Sequence, residues 1–478
     1  MRSLPNHTIG FIIAASVLAP AILASAYFDQ WWICGASVVC IAGIWGWDHP
    51  RACLTLLWIS LPLSVEFSFS DRLGTDLPDE PLMIGVSLLA FFHLVYHRRM
   101  IFVQLMLHPL MLLFLFWLGW MTIAAGLSTT PWLSFKFMLA KSWYTGAFLI
   151  APLIWIRDRA DIQRMVRYLF IPLIGVGMLT LLRHAFHGFS FRTASEVVQP
   201  FFRNHVVYSA MLVTAVPVLY FYRKHHSLNW RGNMLLLIVL AALFFSYARG
   251  AWLALFVGAI AYLLLRNRLL LYGYVMAVLL LIVGLVWLKS DDRYLNYAPD
   301  YRTTIFHPEF ADHWEATYAG KDVSTVERFY RWIAGVRMVA DRPLTGFGPA
   351  TFYTSYRSYA IPAYRTWVSD NPDRSTVHNY FLLTAVEQGV PGLLIFLFLF
   401  GAILFYAERI YHRATDDWVR SMAAGIGIVV VMLGVVNFWS DLIETDKIGP
   451  LFFLSIALLL LLDRRSSSLG ATDVECIA

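Results

Sequence analysis

The stretch LLLYGYVMAVLLLIVGLVWL, residues 269–288, contains no charged side chain from end to end. A helix of this length, at about 1.5 Å per residue, covers the roughly 30 Å of hydrocarbon in a bilayer. Lipid offers no partner to a free backbone N–H or C=O, so a helix, which satisfies its own backbone, is the expected structure. The stretch does not alternate as a barrel strand would. It therefore predicts a transmembrane helix.

Similar apolar runs lie on both sides of this stretch. Several fall short of about 20 residues, so the chain is expected to hold about 12–14 transmembrane helices. We therefore predict an all-α polytopic membrane protein. The runs lie at 9–27, 31–47, 52–68, 82–96, 108–126, 143–156, 166–186, 205–221, 234–248, 251–265, 269–288, 391–407, 421–440 and 448–462.

The composition agrees with this fold class. Of 478 residues, 59% are hydrophobic and 14% are charged, whereas a soluble domain carries roughly 25% charged residues. This balance excludes a cytosolic enzyme, a disordered chain and a fibrous protein. The net charge of +6 is spread without a basic block, so no nucleic-acid partner is expected. The four cysteines lack metal-ligand spacing, and no disulfide framework is expected.

Lysine and arginine set the orientation. They concentrate in alternate connections, for example at Arg98-Arg99, at Arg157 to Arg167 and at Arg464-Arg465. The positive-inside rule then places both chain ends in the cytoplasm. Ala24-Ser25-Ala26 resembles a signal-peptidase site, but the long apolar run before it favours a first span that is not cleaved.

One segment breaks the apolar pattern. Residues 289–391 are about a fifth charged, close to the soluble value, and rich in tyrosine. Within them, 323–341 reads as an amphipathic helix capped by Ser324 or Thr325 and stopped by Pro343, with Phe329, Trp332, Ile333, Val336 and Val339 as apolar positions. We divide the chain into an N-terminal bundle of about 11 spans (1–288), a large outer loop containing helices (289–391), C-terminal transmembrane helices (392–465) and a cytoplasmic tail (466–478).

Basic residues at the outer helix ends are the candidates for chemistry. Arg249 interrupts an apolar run at a tight turn, where it is either an interfacial anchor or an anion site whose guanidinium suits a phosphate. Arg328 and Arg331 share one face of the loop helix, which is either a solvated face paired with Glu327 or Asp322, or part of the same site. Arg203, in Arg203-Asn204-His205, marks another outer helix end, either a polar cap or a lining of that site.

His378 precedes the run that re-enters the membrane, in Ser375-Thr376-Val377-His378-Asn379. A histidine there titrates near neutral pH and suits a general base, the alternative being a hydrogen-bonded structural role. Asp370 and Asp373 lie nearby, but their spacing is not that of a metal site, and none is expected.

Together these residues resemble the O-antigen ligase/polymerase superfamily of bacterial envelope proteins. The matching segments lie in roughly 200–400, in the family's order, while a Gly/Asn-rich family motif is not clear in 192–205. The segments are Ala248-Arg249-Gly250-Ala251-Trp252, Ser324-Thr325-Val326-Glu327-Arg328, Arg342-Pro343-Leu344-Thr345-Gly346-Phe347-Gly348, His378-Asn379-Tyr380-Phe381-Leu382 and Glu387-Gln388-Gly389-Val390-Pro391-Gly392.

The resemblance implies an inner-membrane enzyme that moves glycan from an undecaprenyl-diphosphate carrier to an acceptor hydroxyl on the periplasmic face, with inversion and without metal or other cofactor. His378, Arg328 and Arg249 would be catalytic, and Arg203, His205, Arg331 and Asn379 would bind substrate. Its partners would be the carrier-linked donor, a lipid A–core or glycan acceptor, and membrane lipids.

The acceptor stays open at this point. A ligase would use lipid A–core, which the order of Arg, Arg and His favours, and a polymerase would use a carrier-linked repeat. A protein O-oligosaccharyltransferase is a further alternative. A lipid-linked glycan transporter would be expected to show ionisable residues at mid-membrane and two related halves, and neither is seen in the sequence.

Overall fold

The computed structural model describes residues 20, 24–25, 32–70, 73–97, 104–224, 229–291, 293, 323–360 and 376–475. Most of the predicted first span, 9–27, lies outside these residues, as do Asp370 and Asp373 and much of the outer loop. The elements below are those of the described residues.

Helices dominate the described chain, and the predicted all-α polytopic class is confirmed. Nine described helices are long and apolar enough to cross a membrane by length and composition, and the helix at Trp230–Phe244 is apolar but shorter. In chain order the elements are α1 (Trp32–Asp48), α2 (Pro50–Ser60), β1 (Val65–Ser70), β2 (Leu73–Leu77), α3 (Asp79–His97), α4 (Pro109–Gly126), α5 (Pro131–Trp155), α6 (Arg159–Phe186), α7 (His205–Lys224), α8 (Asn229–Phe244), α9 (Arg249–Arg266), α10 (Leu270–Lys289), α11 (Val323–Asp341), α12 (Phe352–Tyr356), α13 (Tyr380–Arg413), α14 (Asp417–Phe438) and α15 (Gly449–Glu475).

The predicted span at 52–68 is wrong in its second half. Helix α2 ends at Ser60, and Val65–Ser70 is β1, paired antiparallel with β2. The sequence of β1, VEFSFS, alternates apolar and polar side chains, which is the period of a strand and not of a helix. Pro62, just after α2, cannot continue the helical hydrogen bonds.

Helix α10 contains the opening stretch 269–288 almost entirely. It is held to the bundle near its start, where Leu270 N–H donates to Glu408 Oε1 at 2.9 Å and Tyr274 Oη donates to the Leu397 carbonyl at 2.8 Å. Most side chains from Leu279 to Trp287 are exposed. Apolar side chains exposed in this way are those of a lipid-facing helix.

Helix α13 carries a sharp kink inside an otherwise regular helix. Gly389 has φ +72° and ψ 178°, a conformation open essentially to glycine alone. The part after the kink packs along α14, where Gly427 and Gly434 would place a Cβ 3.1 Å from Ala407 and 2.7 Å from Phe400. The spanning part predicted at 391–407 is therefore the second arm of a longer helix.

The ends of the helices show which residues share a side of the membrane. His412 Nε2 lies 2.8 Å from the Leu265 carbonyl, so α9 and α13 end together, and α14 begins just beyond, at Asp417. Arg249, the start of α13 and the end of α14 consequently lie on the opposite side. We call this the outer side, after the orientation that the lysine and arginine pattern predicts, with Arg266, Arg409 and Arg413 at the opposite ends.

Candidate functional site

The loop helix is found where the sequence predicts it, as α11, Val323–Asp341, but its buried face differs from the predicted one. Val336, expected among the apolar positions, is 49% exposed. The buried face instead includes Glu327, Arg331, Ala334 and Met338, spaced as successive turns of one stripe. A prediction from hydrophobicity alone misses this buried face, because two of its residues, Glu327 and Arg331, are charged.

Those two charged residues pair with each other. Arg331 Nε lies 3.4 Å from Glu327 Oε2, with 5% and 7% of the two side chains exposed. Buried charges of this kind are tolerated when they are paired and hydrogen-bonded. The pairing with Glu327 is one of the alternatives that the sequence left open for this helix. Arg331 is therefore part of the framework of the site.

Helix α11 also holds the chain that leads into α13. Arg331 Nη1 donates to the Thr376 carbonyl at 3.0 Å, and Trp332 Nε1 donates to the Val377 carbonyl at 3.1 Å. Asn379 caps α13, since its Oδ1 accepts from Leu382 N–H at 2.9 Å. His378 stands between these fixed points. Its main chain is consequently anchored on both sides.

His378 adopts a left-handed conformation, φ +52°, which is uncommon for a residue other than glycine. Its Nδ1 lies 3.9 Å from Asp441 Oδ1, and Thr376 Oγ1 donates to the other oxygen of Asp441 at 2.5 Å. Backbone strain of about 1–3 kcal/mol persists where the surroundings impose it, and such residues concentrate at functional sites. The imidazole of His378 therefore faces Asp441 through its Nδ1 atom.

The electrostatics of this pair follow from burial and neighbouring charges. Burial, with Arg328 and Arg331 adding to it, lowers the pKa of His378 to about 3. Burial raises the pKa of Asp441 to about 6 against the hydrogen bond from Thr376, which lowers it. The pKa of His378 is well below the near-neutral value expected from the sequence, because burial and the two guanidinium groups disfavour the charged imidazole. At neutral pH the histidine is uncharged and the aspartate is mostly ionised.

Two of the sequence motifs form one interface at the kink of α13. Val390 N–H donates to the Pro343 carbonyl at 2.8 Å, and Phe347 and Gly348 N–H donate to the Val386 and Glu387 carbonyls, each at 2.9 Å. A Cβ on Gly389 would lie 2.1 Å from the Leu344 carbonyl oxygen. Loop 342–348 therefore packs against the bend of α13 at Gly389.

Arg249 is the first residue of α9 and is partly buried. A positive side chain at a helix N-terminus opposes the helix dipole by about 0.3–1 kcal/mol, so helix stability does not explain it. Gly258 packs on Met432. Arg249 lies nine residues before Gly258, about 13 Å at 1.5 Å per residue, and Phe438, where α14 ends, lies six residues after Met432, about 9 Å. Arg249 and the end of α14 are therefore within about one helical turn of the same depth on neighbouring helices.

The predicted residues Arg203 and His205 lie in a second polar cluster. His205 Nδ1 is 2.6 Å from Ser195 Oγ. Asn204 caps α7, since its Oδ1 accepts from Val206 and Val207 N–H at 3.0 Å each. Burial raises the pKa of Asp76, and the Arg203 charge opposes that rise. These contacts place the two predicted residues beside Ser195 and Asp76.

The connection between α14 and α15, residues 439–448, was not among the predicted site segments. It carries Asp441, and also Glu444, Asp446 and Lys447. A polar run of this kind between two apolar spans is a signal that was available in the sequence. Among the residues described, no three His, Cys, Asp or Glu side chains gather as metal ligands would.

Comparison with known proteins identifies the segment that holds most of these residues. The sequence model of a family described as O-antigen ligase matches residues 234–397. No curated protein matches the chain. The resemblance to the O-antigen ligase/polymerase superfamily is confirmed by this match. It supports glycosyl transfer of that general type, at a bacterial membrane, with lipid-linked glycan as a substrate class.

Proposed function

We propose that this protein transfers glycan from an undecaprenyl-diphosphate carrier to a hydroxyl of lipid A–core, at the periplasmic face of the inner membrane. The observation that carries the proposal is the grouping of His378 and Asp441 with Arg328 and Arg331. His378 and the two arginines lie within residues 234–397, the segment that the O-antigen ligase family model matches. This grouping supplies a base, a partner for that base and positive charge in one place. Such a set suits displacement of an anionic leaving group by a hydroxyl.

The donor diphosphate would bind to Arg328 and Arg249. Both are on the outer side, and a guanidinium presents a fork of donors that matches phosphate oxygens. When the bond from the anomeric carbon to the diphosphate breaks, the leaving oxygen gains negative charge. Arginines fixed in advance stabilise that charge more in the transition state than in the ground state.

The acceptor hydroxyl would bind to His378. Because Nδ1 faces Asp441, Nε2 is the nitrogen available to take the hydroxyl proton as oxygen attacks the anomeric carbon. Asp441 would then stabilise the imidazolium that forms. The diphosphate offsets the arginine charges that lower the pKa of His378, so donor binding makes the histidine a stronger base. A single displacement inverts the anomeric centre.

The carrier diphosphate already supplies an activated leaving group, and the proposed step requires neither a nucleotide nor a metal. The lipid tail would lie against the apolar helices, several of which expose large hydrophobic side chains to the bilayer. Arg203 and His205 would contact the acceptor from the second cluster. Arg331 and Asn379 would act on substrate through the His378 segment that they hold.

Deletion of the gene in a producing strain tests the acceptor. The proposal predicts that carrier-linked polymer accumulates without attachment to lipid A–core. Loss of all polymer, with single repeats left on the carrier, would instead identify a polymerase. Movement of a labelled lipid-linked glycan across vesicles by the purified protein, without any transfer, would identify a transporter and overturn the proposal.

A further inference from the structure

The connection between α14 and α15, residues 439–448, is fixed at several points, and we call it the outer strap. At its start, Tyr380 N–H donates to the Ser440 carbonyl at 3.0 Å. Further along, Ile443 N–H donates to Asn437 Oδ1 at 2.9 Å. The strap therefore joins the beginning of α13 to the end of α14, and it brings Asp441 to His378.

A buried lysine of helix α5 contacts the outer strap. Lys141 in α5 is 1% exposed. Its Nζ lies 2.8 Å from Glu444 Oε2, and it donates to the Ile443 carbonyl at 3.3 Å. The same ammonium sits 5.1 Å and 5.2 Å from the ring centres of Phe137 and Tyr144. A buried ammonium needs such partners to offset its desolvation.

Glu444 and Asp441 are two ends of one short turn. Glu444 N–H donates to the Asp441 carbonyl at 3.0 Å, and Leu442–Glu444 forms a 3-10 helix. A shift of the Glu444 side chain therefore moves the backbone that carries Asp441. Lys141 contacts this turn at two points, the Glu444 carboxylate and the Ile443 carbonyl.

The helix that carries Lys141 is irregular just beyond it. Residues Thr145–Ile150 form a π-helical turn, and Thr145 Oγ1 donates to the Lys141 carbonyl at 2.8 Å. π-turns inside α-helices cost stability and are frequent at functional sites. Tyr144, one turn after Lys141, donates to Asp446. Helix α5 therefore contacts the strap at two neighbouring residues, Glu444 and Asp446.

We propose that Lys141 is a positioning residue for glycan transfer, which sets the Asp441–His378 geometry through Glu444 and the Ile443 carbonyl. The inference rests on the proposed function of His378 and Asp441. Lys141 contacts neither, and it acts only by fixing the strap. Its contribution should therefore depend on Asp441 being present.

A double-mutant cycle tests this dependence. In full-length protein, Asp441→Asn is expected to lower kcat about 100-fold, and Lys141→Met at least about 10-fold with KM for the donor little changed. On the Asp441→Asn background, Lys141→Met should lower kcat by less than about 2-fold more. Lys136→Met, an exposed lysine on the same helix, is the control and should behave as wild type.

The inference would be overturned if the loss of kcat in the double variant equalled the product of the two single losses. That result would show that Lys141 acts independently of Asp441. An unchanged kcat in Lys141→Met, or in Asp441→Asn, would overturn it as well. If Lys141→Met does not fold, the Lys141→Met/Glu444→Gln variant removes both charges of the buried pair and enters the same cycle. If the wild-type protein itself transferred no glycan, the result would instead count against the proposed function.

A second readout needs no activity. In a background without native cysteines, Ser440→Cys places a thiol at a buried point of the strap. Release of the strap by Lys141→Met should raise its rate of maleimide labelling by at least about 10-fold, since opening exposes the thiol. Lys136→Met should leave the rate unchanged. Equal labelling in all three proteins would show that Lys141 does not hold the strap.

Discussion

Nδ1 of His378 lies 3.9 Å from Oδ1 of Asp441, although the two residues belong to different helix ends. His378 precedes α13, and Asp441 follows α14. Both are held by backbone contacts, from Arg331 and Trp332 on one side and from Tyr380 on the other. The site therefore forms where the loop helix α11 meets the start of α13 and the residues that follow α14.

Replacing His378 by alanine should remove the base while leaving the fold intact. A positioned general base contributes about 10²–10⁴-fold to the rate, so kcat is expected to fall by that factor. Membrane insertion and thermal stability should be close to wild type, because the side chain is partly exposed. His412→Gln, at the inner ends of α9 and α13, is the matched control and should keep its activity. Normal attachment of glycan in His378→Ala would remove the assignment.

Arg328 should not be replaceable by lysine. An ammonium lacks the planar fork that binds two phosphate oxygens, and loss of one such transition-state donor costs about 10²–10³ in kcat. Both Arg328→Lys and Arg328→Ala should show this loss in an assay with carrier-linked donor. Arg337→Ala, on the exposed face of the same helix, should be unaffected. Equal activity of Arg328→Lys and wild type would contradict a diphosphate site here.

The pH dependence should follow Asp441. Its pKa is raised to about 6 by burial, so the carboxylate that supports His378 is lost as the pH falls through that value. We expect kcat/KM to decline below about pH 6 with the slope of one proton. In Asp441→Asn this acidic limb should disappear and the remaining activity should be low. An unaltered limb in that variant would assign it to another group.

Gly389→Ala should destabilise the protein. The substitution forces an L side chain into φ +72°, with its Cβ 2.1 Å from the Leu344 carbonyl oxygen. Backbone strain of this kind costs about 1–3 kcal/mol, and the clash with loop 342–348 adds to it. The unfolding midpoint in detergent should fall, and it should not fall for Gly284→Ala, which has open space around it. A midpoint equal to wild type would show that the kink is not required.

The membrane class, the loop helix and its end before Pro343 could be predicted from the sequence, because apolar run length and helical periodicity act locally. The pairing of Asp441 with His378, and of Lys141 with Glu444, could not, since the partners lie far apart along the chain. Val336 was expected on the apolar face of α11 and is exposed, whereas Arg331 pairs with Glu327 as one alternative held but is buried. Hydrophobicity alone does not predict a buried ion pair. The strand Val65–Ser70 was missed where an apolar run hid its alternation.

A transfer assay with the purified protein measures the proposed reaction itself. Wild type and His378→Ala would be incubated with undecaprenyl-diphosphate-linked glycan and either lipid A–core or carrier-linked repeat. We expect glycan-modified lipid A–core with wild type alone, released carrier diphosphate in equal amount, and an inverted anomeric centre. Elongation of the carrier-linked repeat without any modified lipid A–core, or equal transfer by His378→Ala, would contradict it.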